Sequence, residues 1–147
     1  MSALIDGRDG MDRAGFWAPR LLSVLRIVAA LLFMEHGLMK LLHFPAVQPG
    51  VPDPLPAMLV AAAWLEVVGG GLLALGLIAR PVAFILSGEM AVGYFMAHFP
   101  QSFWPGINGG DAAILFCFLF LYLAAAGPGP WSLDAVWKRQ PPEALSQ

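Results

Sequence analysis

The sequence predicts an all-α fold, an integral membrane four-helix bundle, and three observations support this prediction. Hydrophobic residues make up 59% of the 147 residues and charged residues only 12%, whereas a soluble domain has about 25% charged residues. Four apolar segments are long enough to cross a hydrocarbon core as helices. Stretches rich in Pro and Gly, which cannot continue a helix, separate these segments.

Each apolar segment is assigned to one membrane-spanning helix. Lipid admits only helices and closed barrels, and the segments lack the alternation of apolar and polar residues that is typical of a barrel strand. The predicted spans are 21–42, 57–77, 82–99 and 111–126.

The connections contain strong helix-breaking residues. Segment 44–56 holds five prolines and one glycine, and segment 100–110 is rich in Pro and Gly with aromatic residues between them. The sequence ARP at 79–81 predicts a tight turn, and GPGPW at 127–131 predicts the end of the fourth helix.

The distribution of Lys and Arg predicts the orientation in the membrane. Connections 44–56 and 100–110 contain neither residue, whereas Arg80 lies in the second connection and the other basic residues outside the spans lie near the termini. Cytoplasmic connections carry the excess of Lys and Arg, so we expect a multi-pass protein of the bacterial inner membrane with both termini in the cytoplasm. The expected organisation is a cytoplasmic N-terminal tail (1–20), a four-helix transmembrane domain (21–127) and a cytoplasmic C-terminal tail (128–147).

Several ionisable residues lie inside the apolar spans, where a charged side chain costs about 2.5–3.5 kcal/mol at the bilayer centre. Glu66 and Glu89 fall near the middle of the second and third spans. They should face the bundle interior and either pair with Lys40, Arg26 or a histidine or be protonated. We expect Lys40 to stay charged with Glu66 or Glu35 as its partner.

Spacing along the helices predicts which groups share a face. His36 and Lys40 are four residues apart and lie on one stripe, whereas Glu35 is turned from that stripe by one residue. His98 is about half a turn away from Glu89, so the spacing does not place these two side chains in one space.

These residues form the predicted site, in which polar groups near mid-membrane handle protons and bind a ligand. The candidate catalytic residues are His36, Glu66 and Glu89, and the candidate ligand-binding residues are Lys40, Glu35, His98 and Asn108. Connection 100–110 either closes over the cavity or uses Asn108 to cap the fourth helix. The alternative for the carboxylates is structural, because Glu–Lys and Glu–Arg pairs can simply hold a bundle together. No close ligand spacing indicates a metal site.

Composition argues against two further classes of activity. The small net charge of −2 argues against a nucleic-acid partner. The lone Cys117 forms neither an internal disulfide nor a redox-active pair.

Three segments carry a resemblance to a known family. RIVAALLFMEHGLMKLL at 26–42, LEVVGGGLLALGLIARPVA at 65–83 and GPGPWSLDAVW at 127–137 together resemble the DoxX family of small four-helix membrane proteins. The chain departs from the family pattern at Ala79, where Thr is usual, and at Pro130, where Arg is common. Some members of the family are similar to the membrane subunit of a thiosulfate:quinone oxidoreductase, and others are linked to membrane-associated oxidoreductase assemblies.

We therefore expect the membrane subunit of a quinone-linked oxidoreductase, with a quinone held between an apolar slot and the polar groups. The sequence shows no flavin, Fe–S or c-type haem motif, so electrons would come from a partner redox subunit. The alternatives are a non-enzymatic accessory or scaffold subunit of a larger membrane complex, and a small proton-linked transporter. The expected protein partner is a redox subunit or, in a homo-oligomer, further copies of the chain. Whether the chain is an enzyme stays open at this point, and the lipid bilayer is the one partner common to all three hypotheses.

Overall fold

The computed structural model describes residues 7–138, and the regular elements within that range are all helical. The described helices are α1 (Gly7–Leu42), α2 (Ala57–Leu75), α3 (Ala79–Gly93), the π-helical turn (Tyr94–His98) that continues α3, α4 (Pro105–Asn108), α5 (Asp111–Ala126) and α6 (Leu133–Trp137). Helices α1, α2, α3 and α5 form the bundle, which confirms the predicted fold class.

Helix α1 starts well before the expected first span. It begins at Gly7, so most of the segment expected to be an N-terminal tail is helical. Hydropathy set the predicted boundary at residue 21, but hydropathy does not report where a helix begins. Residues such as Arg13 and Ala14 are good helix formers. Pro19 lies inside the helix, and the Ser23 hydroxyl donates a hydrogen bond to its carbonyl oxygen over 3.2 Å.

The connection between α2 and α3 is displaced from the predicted position. Gly76 ends α2 in the left-handed region, with φ of 68°, and the turn occupies 76–78. The prediction of a tight turn at 79–81 is therefore wrong, since α3 already begins at Ala79. Pro81 lies in the first turn of α3, where a missing N–H group breaks no hydrogen bond of the helix.

Small residues bring α1 and α2 into close contact. A Cβ atom on Gly37 would lie 2.6 Å from the carbonyl oxygen of Ala63, and one on Gly70 would lie 3.1 Å from that of Ala30. Neither glycine could therefore be enlarged without moving a helix backbone, as is common where membrane helices pack tightly.

Aromatic residues connect the two halves of the bundle. Helix α1 packs along α2, and α3 packs along α5. Phe33 of α1 lies 4.9 Å from Phe120 and 5.5 Å from Phe116 of α5, measured between ring centroids. Phe33 and Phe120 are both fully buried, so this cluster closes the bundle between its first and last helices.

The exterior of the bundle is more apolar than that of a soluble protein, and charged side chains lie in its interior. Large apolar side chains point outward from the middle of the helices, including Phe84, Leu115 and Phe118, each at least 65% exposed. Arg26 and Glu66 are buried at 0% and 2% exposure. Within the described residues, Arg13–Leu42 and Ala57–Leu75 are long and apolar enough to cross a membrane, and α5 is a shorter apolar helix. An apolar exterior around an interior that also buries charged side chains suits a lipid environment.

Candidate functional site

The structure brings six of the seven predicted site residues to one cavity. The cavity has a volume of about 440 Å³, within the usual range of about 300–1,000 Å³ for small-molecule sites. It lies at the end of the bundle where the connections after α1 and after the π-helical turn meet. The predicted residues in its wall are His36, Lys40, Glu66, Glu89, His98 and Asn108.

An ion pair between α1 and α2 forms part of the cavity wall. The Lys40 Nζ atom lies 2.5 Å from the Oε1 atom of Glu66, and the two side chains are 10% and 3% exposed. This contact confirms Glu66, rather than Glu35, as the partner of Lys40. Breaking such a buried pair by removing one member costs about 3–5 kcal/mol, so the pair contributes to holding α1 against α2.

The carboxyl groups of the cavity keep unused hydrogen-bonding capacity. The Oε2 atom of Glu66 and both carboxyl oxygens of Glu89 are buried, and no group of the described residues donates to them. Buried polar atoms in proteins nearly always have a protein or water partner, so these three oxygens are the atoms of the site that would accept from water or a ligand. Two carboxyl groups therefore line a space in which a single ammonium group, that of Lys40, contacts one of them.

Two histidines are anchored in the same way. The Nδ1 atom of His36 lies 2.9 Å from the carbonyl oxygen of Leu32, and that of His98 lies 2.9 Å from the carbonyl oxygen of Asn108. Because a carbonyl only accepts, Nδ1 carries the proton in both rings. Nε2 of each ring is left for other partners. The His36 ring also packs edge-on against Phe116, with centroids 6.1 Å apart.

The π-helical turn explains why His98 reaches the cavity. A regular α-helix would place His98 about half a turn from Glu89, but the Phe99 N–H group donates to the Tyr94 carbonyl oxygen, five residues back, over 2.9 Å. A π turn takes in one extra residue, which brings His98 to within about 80° of Glu89 at about 100° per residue. Both side chains therefore line the same cavity, and such turns occur frequently at functional sites.

Asn108 organises the loop rather than capping a helix. Its Nδ2 atom donates to the Ser102 carbonyl oxygen over 2.7 Å, and its Oδ1 atom accepts from the Gly110 N–H group over 2.8 Å. The N-cap position of α5 is Gly110, without a side-chain capping bond, so the expectation of an Asn108 cap is wrong. Since its carbonyl oxygen holds His98, Asn108 fixes the orientation of that ring.

Two predicted polar residues lie outside the cavity wall. Glu35 is half-buried on α1 but does not line the cavity, as its one-residue offset from the stripe indicated. Arg26 pairs with neither Glu66 nor Glu89, so the expectation of a Glu–Arg pair is wrong. Its guanidinium donates to backbone carbonyls of Leu73, Ala74, Pro128 and Trp131 at the opposite end of the bundle.

The sequence analysis missed part of the wall. Residues 48–52 of the Pro-rich connection line the cavity, although the analysis considered only connection 100–110 as a cover. Gln48 contributes a buried Oε1 atom to which no described residue donates. Its signal in the sequence is weak: one amide side chain in a segment dominated by Pro and aliphatic residues. The apolar part of the wall includes Phe33, Leu59, Met90 and Phe116.

Comparison with known proteins adds a family match. The model of the DoxX family matches residues 21–99, a stretch that contains His36, Lys40, Glu66, Glu89 and His98. A protein of Haemophilus influenzae, described as an uncharacterized protein, is 45% identical over 131 residues, covering 84% of this chain and 96% of its own length. No solved structure matches the chain. Among the described residues, His, Cys, Asp and Glu form no group of three that could hold a metal ion.

Proposed function

Since this chain belongs to the DoxX family of integral membrane proteins, we propose that it is the membrane subunit of a quinone-linked oxidoreductase and that its cavity binds the quinone ring. One observation supports this most strongly: a single cavity inside an apolar bundle joins an aromatic wall to a cluster of ionisable groups. A quinone needs both, because its ring is apolar and its two oxygens require polar partners.

The apolar wall suits the flat faces of the ring. Phe33 and Phe116 line the cavity with ring centroids 5.5 Å apart, and Met90 and Leu59 belong to the remaining apolar lining. Aromatic side chains prefer stacked or edge-on contact with a second ring, and methionine adapts to irregular shapes. These residues would hold the ring, while the polar groups would fix its orientation.

The polar groups divide into proton carriers and anchors. Conversion between quinone and quinol moves two protons along with two electrons, so the site needs groups that exchange protons near the ring oxygens. His36, Glu66 and Glu89 fill this role in the proposal, since an imidazole ring nitrogen can both donate and accept a proton and the carboxyl groups have unpartnered oxygens. Lys40 and His98 would contact the ring oxygens, and Asn108 would position His98. Electrons would come from a partner redox subunit.

The proposal includes an orientation in the membrane. The cavity lies at the end of the bundle whose connections, 44–56 and 100–110, contain neither Lys nor Arg. By the positive-inside tendency, this end faces away from the cytoplasm and both termini face inward. With Cys117 replaced by Ala, cysteines placed at the exposed positions Asp53 and Gly106 should react with an impermeant thiol reagent in spheroplasts. Reaction of a cysteine at Lys138 instead would reverse the orientation.

A second candidate function is proton-linked transport. The unpartnered carboxyl oxygens of Glu66 and Glu89 favour it, because buried carboxyl groups serve as proton relays in membrane transporters. Proton uptake into proteoliposomes in the absence of quinone would support transport over quinone binding.

Extraction and titration of the purified protein test the quinone proposal. Organic extraction of the detergent-solubilised protein should release a bound quinone, and a short-chain ubiquinone should bind in calorimetric titrations. His36→Ala and Glu66→Gln should abolish binding while folded protein remains, whereas Glu35→Gln, outside the cavity, should leave it unchanged. Wild-type binding in both cavity variants, or no quinone extracted and none bound, would overturn the proposal.

A further inference from the structure

The unpartnered atoms of the cavity are all hydrogen-bond acceptors. They are Glu66 Oε2, Glu89 Oε1, Glu89 Oε2 and Gln48 Oε1, and no described residue donates to any of them. Glu66 is 2% exposed and lines the cavity, so water outside the protein does not provide its missing partner. The four oxygens come from three different parts of the chain, which makes a local distortion a poor explanation.

The donors of the cavity differ from its acceptors, because no side-chain donor atom of the described residues is buried without a partner. Gln48 and Gln101 each bring a side-chain amide to the wall, and that of Gln101 donates to the Ala97 carbonyl oxygen over 2.6 Å. Lys40 has three N–H groups, one of which goes to Glu66. The Nδ1–H groups of His36 and His98 are used on backbone carbonyls, so each neutral ring offers only an acceptor at Nε2. The side-chain amide of Asn108 is engaged within its own loop.

The two redox forms of a quinone differ in the partners they need. The oxygens of the oxidised dione only accept hydrogen bonds, so beside the carboxyl groups lone pairs would face lone pairs. Each hydroxyl of the reduced form donates one hydrogen bond and still accepts another, so it can satisfy a carboxyl oxygen and Lys40 together. If Glu66 and Glu89 share one proton in a hydrogen bond, one oxygen of each carboxyl group gains a partner, and the second Glu89 oxygen and Gln48 Oε1 still need a donor.

We propose that the cavity binds the reduced, dihydroxy form of the ring more tightly than the oxidised dione, with Glu89 and Gln48 accepting from the ring hydroxyls and Lys40 donating to a ring oxygen. The proposal rests on the function proposed above and specifies the redox state of the ligand. Hydrogen bonds to charged groups are among the stronger ones in proteins, so we expect a preference of about tenfold or more.

This preference has a thermodynamic consequence for the bound couple. A site that binds the reduced form more tightly makes the bound quinone easier to reduce. For a two-electron couple, each tenfold preference raises the midpoint potential by about 30 mV. The potential of the bound couple is therefore a second measurement that does not depend on calorimetry.

Anaerobic calorimetric titration with three related probes tests the inference. Durohydroquinone has two hydroxyl donors, duroquinone has two acceptors in the same positions, and the dimethyl ether of durohydroquinone has no donor. We expect the hydroquinone to bind about tenfold more tightly than duroquinone, and the ether to bind no more tightly than duroquinone. The ether needs no mutation, so this comparison holds even if a variant fails to fold.

A substitution at Glu89 tests whether this residue causes the preference for the reduced form. Glu89→Gln replaces two acceptor oxygens by one acceptor and one donor group, so it should lower the affinity for durohydroquinone about tenfold and leave that for duroquinone unchanged or higher. The matched control is Glu35→Gln, the same change on α1 outside the cavity, which should keep the wild-type preference.

The outcomes separate the two proposals. Equal or tighter binding of duroquinone overturns the preference for the reduced form but leaves the quinone site intact. Absence of binding for both ring forms overturns the quinone site and, with it, this inference. Binding of the ether as tightly as the hydroquinone also overturns the inference, because donors would then play no part.

Discussion

The two ends of the bundle each bury one cation of helix α1, and they differ in how completely that cation and its neighbours are satisfied. Arg26 is fully buried and donates to four backbone carbonyls, including that of Pro128 over 2.8 Å. Lys40, about four turns further along, pairs with Glu66 beside a cavity in which three carboxyl oxygens have no donor among the described residues.

The difference teaches how to separate structural from functional polar groups inside a membrane bundle. At the Arg26 end, the guanidinium uses its rigid set of donors to hold the last carbonyls of α2 and the segment after α5. Four of the five guanidinium N–H groups there donate to carbonyl oxygens of the protein itself. At the Lys40 end, the protein leaves acceptors unused, and a ligand can supply what is missing.

The largest expected effect on stability is at the Arg26 end of the bundle. Arg26→Met keeps an unbranched side chain but leaves the carbonyls of Leu73 and Trp131, among others, without their donor. We expect a loss of about 3 kcal/mol or more in the free energy of unfolding. Unfolding by SDS in mixed micelles, followed by circular dichroism, measures it. Arg20→Met is the matched control, since within the described residues the hydrogen bond and the cation–π contact of Arg20 are both with Phe16, one turn away. An equal loss there would contradict the special role of Arg26.

The next effect tests the ion pair at the cavity end. Lys40→Met leaves Glu66 buried without a cation and should cost about 3 kcal/mol. In a Glu66→Gln background the same change should cost less, with a coupling of about 1–2 kcal/mol in a double-mutant cycle. The exposed Lys138 provides the control, because Lys138→Met should stay within about 0.5 kcal/mol. Strict additivity in the cycle would show that the pair contributes nothing.

A smaller loss is expected at Gly76, which lies against the Arg26 end. A Cβ atom there would clash with the Cβ atom of Ser132 and lie 3.1 Å from Arg26 Cζ, and the φ of 68° is unfavourable for any other residue. Gly76→Ala should therefore destabilise by about 1–3 kcal/mol in the same SDS unfolding assay. Gly71→Ala in α2 meets nothing within 4 Å and should be neutral or slightly stabilising. The reverse order of the two would show that this end is loosely packed.

The smallest expected effect is a gain in stability rather than a loss. Glu89→Met removes two unpartnered acceptors, so we expect the ligand-free protein to gain about 1 kcal/mol of stability, while quinol binding is lost. Glu66→Met should instead destabilise, because it leaves Lys40 unpaired. SDS unfolding of both variants, with and without durohydroquinone, distinguishes them. A clear loss of stability in Glu89→Met would mean that Glu89 has a structural role after all.

Sequence patterns predicted the outline of the bundle and part of the site. The low charge content and the Pro- and Gly-rich breaks were enough to define the four-helix class, and α5 has the predicted bounds. Helical spacing related His36 to Lys40, and the cost of a buried charge indicated that Glu66 would have a partner. These predictions rest on local periodicity and on burial, both of which act within a single helix.

The remaining features depend on contacts between distant segments. The carbonyl groups that bind Arg26 belong to the backbone and have no signature in side-chain sequence. Asp134 accepts from the N–H groups of Ile78 and Ala79 over 2.8 and 2.9 Å. A residue far along the chain therefore helps to determine where α3 begins. Gln48 lines the cavity because the Pro-rich connection passes over it, and hydropathy does not predict the course of a connection.

The π-helical turn also determines how this helix responds to a change in chain length. It contains one residue more than a regular α-helix would use over the same path, so deletion of the exposed Phe95 or Met96 should let the helix become regular while His98 keeps its direction toward the cavity. A deletion within α3 would rotate every later residue by about 100°. The segment just before His98 is therefore a place where the helix can lose a residue and keep its site, and we expect length variation in the third helix to be tolerated there and not in α3.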